Sequence, residues 1–152
     1  MLRYIADWVL PITGPPLRPG RVDVDTGRVV GVGAVDAALP AGATVVGLGG
    51  HVVLPALVNA HTHLELSGLR GRVPPTASMP EWVGFLLDRR AESGPADAIV
   101  IRQAIDEARA SGTGLFGDAG NTLAAVPILA TAGVAARVFR EVVAFPDTGA
   151  AA

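Results

Sequence analysis

The sequence predicts an α/β protein preceded by a small all-β segment, and three observations predict it. Residues 1 to about 50 alternate short β-type runs with turns rich in Gly and Pro. After His51 the texture becomes strand, helix, strand, helix, strand, the rhythm of parallel βαβ units. The first run of that region, VVLPALVNAHTH, is apolar until its last residues, as in a parallel strand whose carboxyl end opens on a site. Two segments are therefore expected, 1–50 and 51–152.

In the first segment RYIADWVLPI reads as a strand and GPPLRPG as a turn. Val22 and Val24, the pair Thr26-Gly27 and then Arg28-Val29-Val30 predict a hairpin, with Asp23 and Asp25 on the face opposite the valines. ATVVGLGG closes the segment. Its GLGG (47–50) has no helix behind it, so it reads as a turn and not as a phosphate cradle.

In the second segment the run ending at His63 predicts a strand buried on both faces, with His51 capping its start. Ser78 and Glu81 make a capping box with Pro80 in the first turn, so a helix begins there. Trp82, Phe85 and Leu86 form its core-facing side, and Arg89 and Arg90 suit the dipole at its end. A second helix, from about Ala96 to Ser111, repeats Ile101, Ala104, Ile105 and Ala108 on one face and stops at Gly112. TGLFGDAGN reads as a strand ending in Asp118 and Asn121. A short helix from about Leu123 to Ala132 follows, closed by Gly133, and VAARVFREVVAF is a third strand before the tail PDTGAAA.

Half of the 152 residues are hydrophobic and 17% are charged, so a buried core is expected. A net charge of -2 offers no attraction to nucleic acid or to an anionic membrane, and neither is expected as a partner. The absence of Cys excludes disulfides and thiolate metal sites and fits a cytoplasmic setting, so any metal ligands must be His, Asp or Glu. Asp7 interrupts the apolar N-terminus, which argues against a secretory leader. The uncharged span from Ala37 to Leu64 is broken by Pro40, Pro55 and four glycines, which predicts strands and turns instead of a membrane helix.

His61 and His63 carry the chemistry. On a strand, side chains at i and i+2 share a face about 6 to 7 Å apart, so both imidazoles can converge on one ion. Neutral imidazole suits zinc, iron and similar divalent metals. The alternative is two hydrogen-bonded histidines at a strand end. His51 is too far along a continuous strand to join them, since ten residues extend about 33 Å. A catalytic zinc keeps three protein ligands, so the pair alone is incomplete. Glu65, which continues the 61, 63, 65 alternation, and Asp118, at the end of the next strand, are the carboxylates placed to help. Each also has a plainer role: Glu65 as a loop residue behind the ligands, Asp118 as the cap of the helix after it. Arg140 and Glu141 fall on the third strand, where whichever points inward either touches substrate or joins a buried ion pair.

LPALVNAHTHLELSGLRG, preceded by GLGGHVVLP and followed by ASGTGLFGDAGN, resembles the N-terminal part of the amidohydrolase superfamily. The likeness is greatest to the branch of deaminases and chlorohydrolases that act on aminated heterocycles, and it runs over essentially the whole chain. It implies a partial (β/α)8 TIM-type barrel, its first three strands, preceded by a segment of a small β-sandwich. It implies that His61 and His63 are the first metal ligands, binding zinc or iron, and that a metal-activated water attacks a ring carbon of a small heterocyclic substrate. Glu65, in the HTHLE context, resembles a substrate-facing position in deaminases of modified purine nucleosides. The acid/base Glu, two further histidines and a metal-binding Asp of that branch come from later strands, so the catalytic residues are not assigned here. The family usually has Gly where this chain has Ala56.

These implications predict that the isolated 152-residue chain lacks turnover. An open sheet edge and uncovered apolar faces predict a marginal or homo-oligomeric chain. The alternative is a non-catalytic relative that associates with another chain through that edge.

Overall fold

The computed structural model describes residues 1–94 and 96–142. It divides into two compact units, Met1–Pro55 and Ala56 onward.

The first unit is a four-stranded sheet of β1 (Leu2–Val9), β2 (Gly20–Asp25), β3 (Arg28–Ala34) and β4 (Thr44–Val53) in the order β3-β2-β1-β4. β2 is antiparallel to both neighbours, whereas β1 and β4 run parallel. The predicted hairpin is present. Thr26 and Gly27 both have positive φ, 45° and 77°, the backbone that a tight two-residue hairpin turn needs. Asp23 does face away from the valines, but it is buried. Arg3 donates to it from Nε (2.7 Å) and Nη2 (3.1 Å), Arg21 also pairs with it, and Arg3 reaches the carbonyls of Ala37 (2.7 Å) and Ala38 (3.2 Å). The Arg3 hydrogen bonds hold the Asp23 carboxyl below its ordinary pKa, against burial that raises it.

The GLGG expected as a turn lies inside β4. Gly50 has φ +73°, the β1–β4 register slips between Ala6 and Trp8, and the Gly50 amide donates to Asp7 Oδ2 at 3.0 Å. Glycine here lets the strand bulge and continue, so a pattern that reads as a turn builds an irregular strand. His51 also lies in β4 and does not start the strand that carries His61, because the chain leaves β4 after Val53 and passes Pro55 first.

The second unit holds β5 (Leu57–Thr62), a 3-10 helix (Leu64–Leu69), α1 (Met79–Ser93), α2 (Ala98–Ala110), β6 (Thr113–Gly120), α3 (Val126–Thr131) and β7 (Ala135–Arg140). Its three strands are parallel in the order β5-β6-β7. Ile101 and Ile105 of α2 pack with Phe116 of β6 and with Leu64, Ala125, Leu129 and Ala132. Each large side chain sunk there contributes roughly 1.5–3 kcal/mol.

Several expectations change. β5 is an edge strand, and the burial expected on both of its faces is not found: Leu57 is 53% and Val58 61% exposed. Trp82 and Phe85 are not core. α1 buries no residue, because among the described elements it packs only on the 3-10 helix. Its start lies where expected, and the Ser78 half of the capping box is present, with Ser78 Oγ accepting from the Glu81 amide at 3.4 Å. α2 begins at Ala98 with Asp97 as its cap, Oδ1 accepting from the Ile99 amide at 2.7 Å. α3 starts later than Leu123, where φ is +61°, and has Pro127 in its first turn. The third strand ends at Arg140; positions 143–145 of its expected span and the tail 146–152 lie outside the described residues.

Two irregularities in the β5–β6 pairing shape the site. Leu57 pairs with Thr113 and Val58 with Leu115, so β6 carries an extra residue at Gly114. A Cβ on Gly114 would lie 2.5 Å from the Ala56 methyl. Farther along, the register slips the other way between Asn59 and Thr62, and a Cβ on Gly117 would lie 2.3 Å from the Ala60 carbonyl oxygen.

Candidate metal centre

His61 is the penultimate residue of β5, and His63 stands between the strand and the 3-10 helix, with φ -128° and ψ 74°. From Asn59 to Thr62 β5 advances three residues while β6 advances two, from Phe116 to Asp118. Simple alternation therefore does not hold across this stretch. The bulge and the change of backbone at His63 nevertheless bring the rings together, with His61 Nε2 and His63 Nε2 3.0 Å apart and ring centroids 5.0 Å apart.

Asp118 does not cap the following helix. The residue in the cap position of α3 is Ala125, which offers no side-chain acceptor. Asp118 is instead 1% exposed, and its Oδ1 accepts from the Leu64 amide (2.8 Å) and the Thr62 hydroxyl (3.1 Å). The same hydroxyl reaches the Gly117 carbonyl at 3.2 Å.

Glu65 leaves the 61, 63, 65 alternation because the chain has entered the 3-10 helix. Its carboxylate is buried and fully engaged. Oε1 accepts from the Asn121 amide (2.9 Å) and Arg90 Nη2 (3.1 Å), Oε2 from the amide (3.0 Å) and hydroxyl (2.5 Å) of Thr122. Burial is the largest single influence and raises the pKa. The Thr122 hydroxyl, the two amides and Arg90 together outweigh it, so the group sits below the ordinary carboxylate value.

Arg90 therefore does more than face a helix dipole: it also donates to Asn121 Oδ1 at 2.5 Å, and Asn121 Nδ2 donates to the Glu141 carbonyl at 2.9 Å. Beside this network lies a cavity of about 240 Å³ lined by Glu65, Arg72, Arg90, Ser93, Asp97 and Thr122 among others. Arg140 and Glu141 are both exposed, and Glu141 lies past the end of β7, so neither points into the sheet. His51 belongs to the first unit. Among the described residues no cluster of three or more His, Cys, Asp or Glu side chains could hold one ion. Thr62, Arg90 and Thr122 were not legible as site residues. The only sequence signal is for Thr122, in the run of small and polar residues GDAGNT that closes and follows β6.

Fold and site together define a parallel α/β unit with its polar groups gathered at the carboxyl ends of the strands, where such folds keep their chemistry. The chain belongs to the amidohydrolase family, whose model matches residues 52–143. It is 40% identical over 57 residues to the 5-methylthioadenosine/S-adenosylhomocysteine deaminase of Nitratidesulfovibrio vulgaris, a match covering 36% of this chain and 13% of that protein. Its fold resembles that of the aminofutalosine deaminase of Helicobacter pylori solved with methylthio-coformycin (TM-score 0.77, 24% identity, 92% of this chain and 35% of that one). It also resembles the atrazine chlorohydrolase of Arthrobacter aurescens solved with zinc (TM-score 0.73, 20% identity, the same coverage). The chain thus spans about a third of the length of the solved structures it matches and a smaller share of the curated relative.

Proposed function

We propose that this chain is the N-terminal part of a metal-dependent amidohydrolase that hydrolyses a C-N bond, deaminating an aminated heterocycle. The observation that carries the reading is the 3.0 Å approach of His61 Nε2 to His63 Nε2 at the carboxyl end of β5. Two imidazole nitrogens this close fit a zinc or iron ion as donors, because neutral imidazole binds both metals and one ion can take both nitrogens. When bound, the metal supplies Lewis acidity and acidifies water toward a pKa of about 7, the nucleophile this hydrolysis needs.

In this reading His61 and His63 hold the ion, the unit from Ala56 onward carries the first three strands of a (β/α)8 barrel, and Met1–Pro55 form a segment of a β-sandwich, so that the boundary expected at residue 50 moves past the end of β4. Glu65 serves the substrate side by fixing Asn121, Thr122 and Arg90 around its carboxylate. The curated relative named above is a deaminase of 5-methylthioadenosine and S-adenosylhomocysteine, which makes these the first substrates to try. Among the described residues no helix is long and apolar enough to cross a membrane.

The test is metal content. After dialysis against zinc or iron(II), the chain should retain metal that both His61→Ala and His63→Ala lose, and the 152-residue chain alone should show no deamination. Equal metal in wild type and both variants would remove the assignment.

A second reading is favoured by the exposure of Leu57 and Val58 on edge strand β5. Here the chain is a non-catalytic relative that docks on another chain through its open sheet edge. Mixing with a polypeptide carrying the remaining barrel strands of a relative separates the two, since only complementation restores tight metal binding together with turnover.

A further inference from the structure

We infer that Asp118 is a positioning residue for the histidine pair: it is the group that makes the two imidazoles converge. His63 has neither strand nor helix dihedral angles, and its carbonyl accepts the first bond of the 3-10 helix, from the Leu66 amide at 2.9 Å. The residues on either side of it are tied together by one oxygen. Asp118 Oδ1 takes the Thr62 hydroxyl before His63 and the Leu64 amide after it. Thr62 and Asp118 are also register partners where the β5 bulge ends, so the same side chain closes the irregularity that contains His61.

Chemistry points the same way. Asp118 is among the most deeply buried side chains of the protein, yet both of these partners are neutral. Burying a carboxyl group costs free energy that an apolar residue at this place in the core would not. What the carboxyl provides is an acceptor that reaches across from β6 to the end of β5 and to the first residue of the 3-10 helix. A helix cap, the plainer role for an Asp at a strand end, is excluded by the cap at Ala125.

The metal consequence rests on the reading of His61 and His63 as ligands, so the test has two readouts. In the metal-free chain at pH 8, long-range ¹⁵N–¹H spectra of the histidine rings report whether one Nε2 donates to the other, as the 3.0 Å approach requires. In the zinc-loaded chain, titration reports affinity. Asp118→Ala should abolish the inter-ring pattern and weaken zinc about 10-fold or more, the usual loss when a group supporting a ligand is removed. Asp118→Asn keeps an oxygen that can accept from both Leu64 and Thr62 and should retain both signals within about 3-fold. A group serving stability alone would lower the melting temperature in Asp118→Ala and leave the ring pattern of the folded fraction intact. Should Asp118→Ala fail to fold, Thr62→Val, which removes one of the two contacts, is expected to weaken the pattern and the affinity partially.

An intact inter-ring pattern in folded Asp118→Ala, or in Thr62→Val when Asp118→Ala does not fold, overturns the inference. If wild-type chain binds zinc no better than His61→Ala, the ligand assignment fails while the ring spectra still decide the role of Asp118.

Discussion

The carbonyl oxygen of Ala60 occupies the place where a side chain on Gly117 would begin, 2.3 Å from the position of a Cβ there. The β5 bulge is thus pressed against a glycine of the next strand, and the bulge can keep its shape only while that residue has no side chain.

Gly117→Ala should therefore act like overpacking. A loss of about 1–3 kcal/mol in chemical unfolding is expected, with β5 pushed away from β6. The same variant should disturb the His61–His63 approach, read by the ring spectra. An unfolding midpoint within error of wild type would show that the bulge has another way to relax.

Glu65 makes stability depend on pH in one direction. Its folded-state pKa lies below the ordinary 4.5, so its contribution is full above that pH and is lost as pH falls through the folded value. Between pH 5 and about pH 3 the unfolding free energy of wild type should fall more steeply than that of Glu65→Gln. Asp23, whose pKa is lowered too, stays in both proteins and cancels in the difference. Glu65→Ala leaves two amides, a hydroxyl and a guanidinium without their acceptor, for an expected cost of about 1–3 kcal/mol at neutral pH.

Arg90→Ala should loosen α1 and little else. The helix buries no residue, and Arg90 ties it to Glu65 and Asn121. Amide exchange across Met79–Ser93 should quicken by at least several-fold while α2, anchored by the fully buried Ile101 and Ile105, keeps its protection. Uniform acceleration in both helices would mean that Arg90 supports the whole unit.

The sequence was most informative where local chemistry and tertiary packing agree. The Ile101, Ala104, Ile105, Ala108 stripe lies on the core, the Thr26-Gly27 hairpin has the backbone its residues favour, and Ser78 caps α1. His61 and His63 do approach each other. The reason offered by alternation was incomplete, because the strand bulges before His63 and ends at Thr62. GLGG misled because glycine marks turns and bulges alike, and only pairing with β1 decides between them. Trp82 and Phe85 misled because helical spacing shows that a face is apolar, not what covers it. Asp118 and Glu65 were noticed, but their partners lie 25 to 57 residues away in sequence, beyond the reach of any local pattern.

The contact between Ala56 and Gly114 makes these two positions read as a single character in the sequence. With a Cβ on Gly114 lying 2.5 Å from the Ala56 methyl, the pair has room for one methyl group, and here residue 56 holds it. Gly114→Ala alone should be harmful, and the double change Ala56→Gly with Gly114→Ala should recover much of the loss, a non-additivity expected of touching residues. The Gly expected after the proline is then one state of a two-site allele, and the tolerance of either position to change can be judged only from the identity of the other.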